Sequence, residues 1–173
     1  MHKLAAAAVV VMCLAAPARA ADDFEAQTTA QLEAGIEAKH PASYIMLAAK
    51  LFQAGRRDDA VFWFYLGQLR YRTHLAARPS LDPSGDRALF SSLFEVVGRP
   101  VNQYAFADIS RLTRTLDEVL AWDDAHPDGF TPKERFAVAR QGVRKGLVEM
   151  RQDVLARTVE IRETRTQNGL DNR

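Results

Sequence analysis

The sequence predicts an all-α protein, a single domain of about six helices, and three features carry that expectation. Apolar residues recur at three- and four-residue spacing in window after window. Helix punctuation falls between those windows, at His40-Pro41, Gly55, Gly98-Arg99-Pro100 and His126-Pro127-Asp128-Gly129. The chain is also of a length that supports one sizeable core rather than two.

The first residues read as an address. His2 and Lys3 precede an apolar run from Leu4 to Ala16, which is too short to span a bilayer as a permanent helix. Ala18 and Ala20 occupy the small-residue positions of an A-x-A cleavage site, so residues 1–20 are expected to form a signal peptide cut after Ala20. Lipidation of Cys13, the sole cysteine, is the alternative, and the bulky Met12 before it disfavours that reading. Losing residues 1–20 removes Lys3 and Arg19, leaving 21 basic residues against 22 acidic ones, a formal charge of −1 instead of +1. The mature chain then has no thiol for disulfides, metal thiolates or nucleophilic catalysis. Neither charge nor composition points to nucleic acid, and no later run is apolar enough for a transmembrane anchor. The expected location is the periplasm, or secretion beyond it.

Asp22 to Lys39 is rich in Ala, Gln and Glu and reads as a first helix, broken by His40-Pro41. Residues 42–53 place Tyr44, Leu47, Ala48 and Leu51 on one face. After Gly55 a third helix runs to about Ala77, and Phe62-Trp63-Phe64-Tyr65 points rings in nearly every direction, as in a helix buried on several sides.

This hairpin resembles a tetratricopeptide repeat or its Sel1-like relative. Tyr44, Leu47, Ala48, Leu51, Gly55, Ala60, Phe64 and Gly67 fall at that family's consensus positions, although Arg72 stands where its closing proline belongs and no second copy follows. The resemblance implies a hairpin that buries its faces only against neighbours and binds a peptide or protein partner, with no enzymatic activity.

Residues 78–86 are dense in turn formers and read as a loop. A short helix from Arg87 to Val97 should end at Gly98-Arg99-Pro100, with Val101 to Phe106 as a tight connector. Asp108 is a candidate cap for a helix carrying Ile109, Leu112, Leu116, Val119 and Leu120 to about Ala125. Thr131, Pro132 and Glu134 have the spacing of a capping box opening a last helix of more than thirty residues, its stripe formed by Phe136, Ala139, Val143, Leu147, Met150, Val154 and Ile161. Gly142 and Gly146 suggest close approach of a neighbouring helix. The domain is expected to span 21–165, with 166–173 a frayed tail.

Candidate chemistry is sparse. Asp124, His126, Asp128 and Gly129 have the spacing of a calcium-loop opening, but the twelfth position is Arg135 rather than Glu, so a helix-ending turn with solvated acids is the better reading. Histidines 40, 74 and 126 are far apart in sequence, and no metalloprotease, phosphate-loop or nucleophile-elbow motif is present. No catalytic residue, cofactor or metal ligand is nominated. A basic surface beside aromatics is the one partner-binding candidate: Arg56, Arg57, Trp63, Arg70, Arg72, Arg78 and Tyr104. The expectation is a periplasmic interaction protein, either an envelope adaptor or an immunity protein that neutralises a toxin, with an envelope enzyme as the alternative.

Overall fold

A computed structural model describes residues 26–173, and those residues contain helices and turns and no strand. The expected signal peptide, its cleavage point after Ala20 and Cys13 lie outside the described residues. Among the described residues no helix is long and apolar enough to cross a membrane.

The first helix is shorter than its composition suggests. Helix α1 spans Thr29–Glu33 and opens on a capping box in which Thr28 Oγ1 accepts from the Gln31 amide at 3.2 Å and Gln31 Oε1 accepts from the Thr28 amide at 2.8 Å. Gly35, at φ +62°, then turns the chain into the left-handed region and into a 3-10 turn at Ile36–Ala38, so helix does not continue to Lys39.

Helices α2 (Ala42–Gln53) and α3 (Arg57–Ala77) form the hairpin, with Gly55 at φ +81° making the corner. Tyr44, Leu47, Ala48, Leu51, Ala60 and Phe64 are all buried. Gly67 lets the two helices touch: a Cβ there would lie 2.8 Å from Ile45 Cγ1 and 2.9 Å from Tyr44 Cβ. Every residue of α3 from Phe64 to Tyr71 is buried, because α2, α5, α6 and α7 surround it.

The segment expected to break at Gly98-Arg99-Pro100 stays helical. Helix α4 (Ala88–Leu93) passes through a π-helical turn at Phe94–Gly98 into α5 (Arg99–Ala105). Pro100 has no N–H to give an i→i−4 bond and its ring would crowd the carbonyl of Val96, and a widened turn just before it accommodates both. Gly98 sits there because a Cβ would come within 2.7 Å of Phe64 Cζ.

Asp108 caps α6 (Ile109–Ala125), its carboxylate accepting from the Arg111 amide at 2.9 Å. The capping box expected at Thr131 does not form. Thr131 is buried, its amide donates to Asp128 Oδ1 at 2.8 Å, and its hydroxyl accepts from Arg78 at 3.3 Å. Asp128 has taken the capping geometry first as an Asx turn, and helix α7 begins only at Ala137.

Helix α7 (Ala137–Ala156) packs on α3 and α6, as the hairpin-against-last-helix expectation requires, but it breaks at Arg157 before α8 (Thr158–Gln167). Its stripe is only half-buried apart from Val154. Gly142 and Gly146 do not meet a neighbouring helix: a Cβ on either would find nothing within 4 Å. The last residues are not frayed. Gly169, at φ +70°, reverses the chain, and the Arg173 amide donates to the Ala107 carbonyl at 2.7 Å.

The glycines therefore divide into two classes with opposite mutational signs. Gly98→Ala should destabilise by about 1–3 kcal/mol through overpacking on Phe64. Gly142→Ala should stabilise by about 0.5–1 kcal/mol, because it removes an interior helix glycine at no steric cost. Urea denaturation of both variants checks the pair, and equal signs would contradict the assignment.

Candidate functional site

The seven residues nominated as a basic partner surface do not assemble into one groove. Arg56 pairs with Asp59 at 2.7 Å on the surface at the start of α3. Arg57 lies over the rings of Phe52 and Tyr104, at 5.5 and 5.6 Å. Trp63 packs against Tyr44 and Trp122 and edges a polar cleft with Asp58, Arg111 and Arg114. Arg78 is held between the His74 ring, at 2.7 Å, and the faces of Phe130 and Phe136. Residues on one helix at these spacings point in different directions, which is why no common face results.

Arg70 is the largest departure, because it is 2% exposed and belongs to the interior. Its guanidinium donates to the Pro127 carbonyl at 2.7 Å, the His126 carbonyl at 3.2 Å and the Tyr44 hydroxyl at 3.2 Å. It lies over the Trp122 ring at 5.1 Å and 3.2 Å from Asp123 Oδ1. The Asp123 carboxylate, also buried, accepts from Arg140 at 2.8 Å and from Arg144 at 2.9 Å. The same two arginines hold Asp124, each at 2.7 Å. The acids at the end of α6 and in the turn after it are thus not all solvated as expected: Asp123 and Asp128 are buried, and burial pushes the Asp128 carboxyl above the ordinary carboxylate range. Arg140 and Arg144, four residues apart, adjoin the apolar positions Ala139 and Val143 on the packed side of α7, a spacing that turns both toward α6 but does not name the acids they meet.

A second cluster was invisible in sequence. His40, His74 and Asp86 converge from three segments, with candidate ligand atoms all within 4.8 Å of one another. Two histidines and a carboxylate have the composition of a metal centre, but the hydrogen bonds assign the wrong tautomer for one. His40 Nδ1 faces the Ala42 amide at 3.1 Å and His74 Nδ1 faces the Arg78 guanidinium at 2.7 Å, so both Nδ1 atoms act as acceptors. Each neutral ring therefore carries its proton on Nε2, the atom directed at Asp86 at 3.2 and 2.6 Å. A metal-bound Nε2 requires the reverse, an Nδ1–H donating outward to an oxygen. The same bonds leave neither ring a nitrogen for proton transfer to a substrate. The arrangement ties the 83–87 turn to α2 and α3. Burial acts to raise the Asp86 pKa, but the Nε2–H bonds from His74 and His40 outweigh it and hold the carboxyl below its ordinary range.

A groove between α3 and α7 encloses about 470 Å³, a ligand-sized volume. Leu69 and Leu75 form one wall, Val143, Leu147 and Met150 the other, and Phe90 closes an end. Gly146 borders it, so the empty space at that glycine opens onto the groove. Arg72 is the one charged side chain in its lining. Its guanidinium lies over Phe90 and Phe94 at 5.3 and 5.9 Å, and among the described residues no carboxylate pairs with it. Partial desolvation among those rings lowers its pKa from the ordinary arginine value.

No family model matches this chain. No solved structure matches it either. An uncharacterised protein of Haemophilus influenzae is 36% identical over 88 residues, which is 50% of this chain and 34% of that relative. The chain therefore spans about a third of the length of the relative it matches.

Two stability predictions follow from the clusters. Arg70→Met should cost about 3–5 kcal/mol in urea unfolding, since it strands the carbonyls of residues 126 and 127 and weakens compensation of buried Asp123. A loss below about 1 kcal/mol would contradict the central role of Arg70. For Asp86, a depressed folded-state pKa means stabilisation complete at neutral pH and lost as pH falls through the folded value. Asp86→Asn should cost about 1–3 kcal/mol at pH 7, and its gap from the parent protein should shrink below about pH 4. A gap that widens with acid would reverse the sign of that linkage.

Proposed function

We propose that this is a cell-envelope protein that binds another protein without catalysis, seating an apolar helical segment that carries a carboxylate in the groove between α3 and α7. The observation that carries the reading is Arg72: a cation half-surrounded by aromatic rings, unpaired, at the edge of an otherwise apolar trough. An arginine so placed favours a carboxylate that arrives attached to apolar surface, because the ion pair then forms in partial exclusion from water. The empty space over Gly142 and Gly146, four residues apart on one face, leaves room for a second helix backbone to come close. The resemblance of the α2–α3 hairpin to a tetratricopeptide repeat, a partner-binding module, supports the same reading, and the signal peptide expected over residues 1–20 supports an envelope location. The full engagement of both histidine rings in the Asp86 cluster weighs against general-base chemistry there. An adaptor in envelope assembly and a toxin-neutralising immunity protein are the two roles that fit, and they differ in the identity of the partner.

Affinity capture from envelope extract with three forms of the protein tests this. The parent protein should retain a specific partner. Arg72→Ala should weaken that binding about tenfold, the equivalent of about 1.4 kcal/mol, and Gly146→Leu should abolish it by filling the groove while the thermal midpoint holds or rises. A partner that binds Gly146→Leu as well as the parent protein would place the contact elsewhere and overturn the reading.

A further inference from the structure

A separate cleft, sharing no lining residue with the groove, lies where the C-terminal segment folds back on α5. Gly169 and the Leu170 amide, which donates to the Arg165 carbonyl at 2.9 Å, end α8 and reverse the chain. The returning segment lays the Arg173 guanidinium on the Tyr104 ring at 3.9 Å and lets it donate to the Tyr104 carbonyl at 2.9 Å. Arg57 approaches the same ring at 5.6 Å, and Arg165 lines the cleft, which encloses about 430 Å³.

Three guanidinium groups thus share a small space, and among the described residues none of them forms an ion pair. The carboxylate that would be their natural counter-charge, Asp58, is already held by Arg111 at 2.9 Å and by the Tyr104 hydroxyl at 3.0 Å. The remaining acid in the lining is the exposed Asp171, whose backbone carbonyl, not its carboxylate, is what Arg165 binds, at 2.7 Å. Arg165 is 9% exposed, and its buried Nε finds no acceptor in the protein. Assembling like charges with unsatisfied donors is unfavourable unless an anion completes the site. Burial, with the Arg173 charge adding to it, lowers the Arg165 pKa, and the Asp171 charge offsets this only in part.

We propose that the cleft formed by Arg57, Arg165 and Arg173 beside Tyr104 binds a phosphomonoester. Three guanidinium groups against one exposed carboxylate match a dianion, and guanidinium forks bind phosphate oxygens in pairs. Phe52 and Pro100 in the same lining offer apolar contact for the organic group attached to the phosphate.

Calorimetric titration of the full chain with phenyl phosphate at fixed ionic strength tests the site, with inorganic phosphate and chloride as comparison ligands. Saturable one-to-one binding is expected, tighter for phenyl phosphate than for inorganic phosphate and absent for chloride. Arg57→Ala and Arg173→Ala, both at exposed positions, should each weaken it at least tenfold while near-ultraviolet circular dichroism stays unchanged. Vesicles bearing phosphatidic acid that compete with phenyl phosphate would assign the phosphate to a lipid headgroup, and vesicles that fail to compete would assign it to a soluble phosphomonoester. Absence of saturable binding, affinity matched by chloride, or affinity unchanged in both variants would overturn the proposal. None of those outcomes bears on the α3–α7 groove, whose variants leave this cleft intact.

Discussion

Arg70 is the residue around which the rest of the fold is arranged. A fully buried guanidinium is tolerated only where its charge and most of its donors are answered, and here the answers come from the end of α6, the turn after it and the Tyr44 hydroxyl, while Nε meets Asp123 as an ion pair without a hydrogen bond. Those partners cannot be satisfied unless the 126–128 turn sits against α3, which in turn brings the Gly129 amide onto the Glu37 carbonyl at 2.8 Å. Asp123 extends the same constraint to α7 through Arg140 and Arg144. The interaction works less as a source of net stability than as a register pin, because a buried ion pair replaced by apolar residues often loses nothing, while one left half-made is costly.

The parts of this structure legible in sequence are those decided by local spacing. The buried face of α2, the all-round burial of α3 and the Asp108 cap each follow from residues within a few positions of one another. What was not legible depended on competition or on distance. Thr131 and Glu134 had capping-box spacing, but Asp128 lay three residues earlier with a stronger claim on the same amide. Gly98-Arg99-Pro100 is a helix stop by composition, and the stop was absorbed by a change of helical register under Phe64. Gly142 and Gly146 signalled close packing and instead border open space.

The candidate sites show the same division. An arginine-rich chain displays many cations, and sequence gives no means to sort those that are matched from those that are not. Arg70, Arg140 and Arg144 are matched inside the fold, Arg56 is matched on its surface, and Arg57, Arg72 and Arg173 lie on aromatic rings with no carboxylate. That sorting depends on which acids the tertiary structure has already consumed. The Asp86 cluster depends on it too, since its histidines are separated by thirty-four positions and acquire their meaning from what stands behind each ring.

Helix α7 is fastened unevenly. At its N-terminal half, Arg140 and Arg144 grip two carboxylates, whereas its apolar side is fully buried only at Val154. A helix anchored by charge at one place and by loose apolar contact elsewhere behaves as a clasp, and the strength of a partly exposed ionic clasp is set by the surrounding electrolyte. Dissolved ions therefore reach the two halves of this clasp unequally: the exposed Asp124 is open to screening, while the buried Asp123 keeps its grip on both arginines.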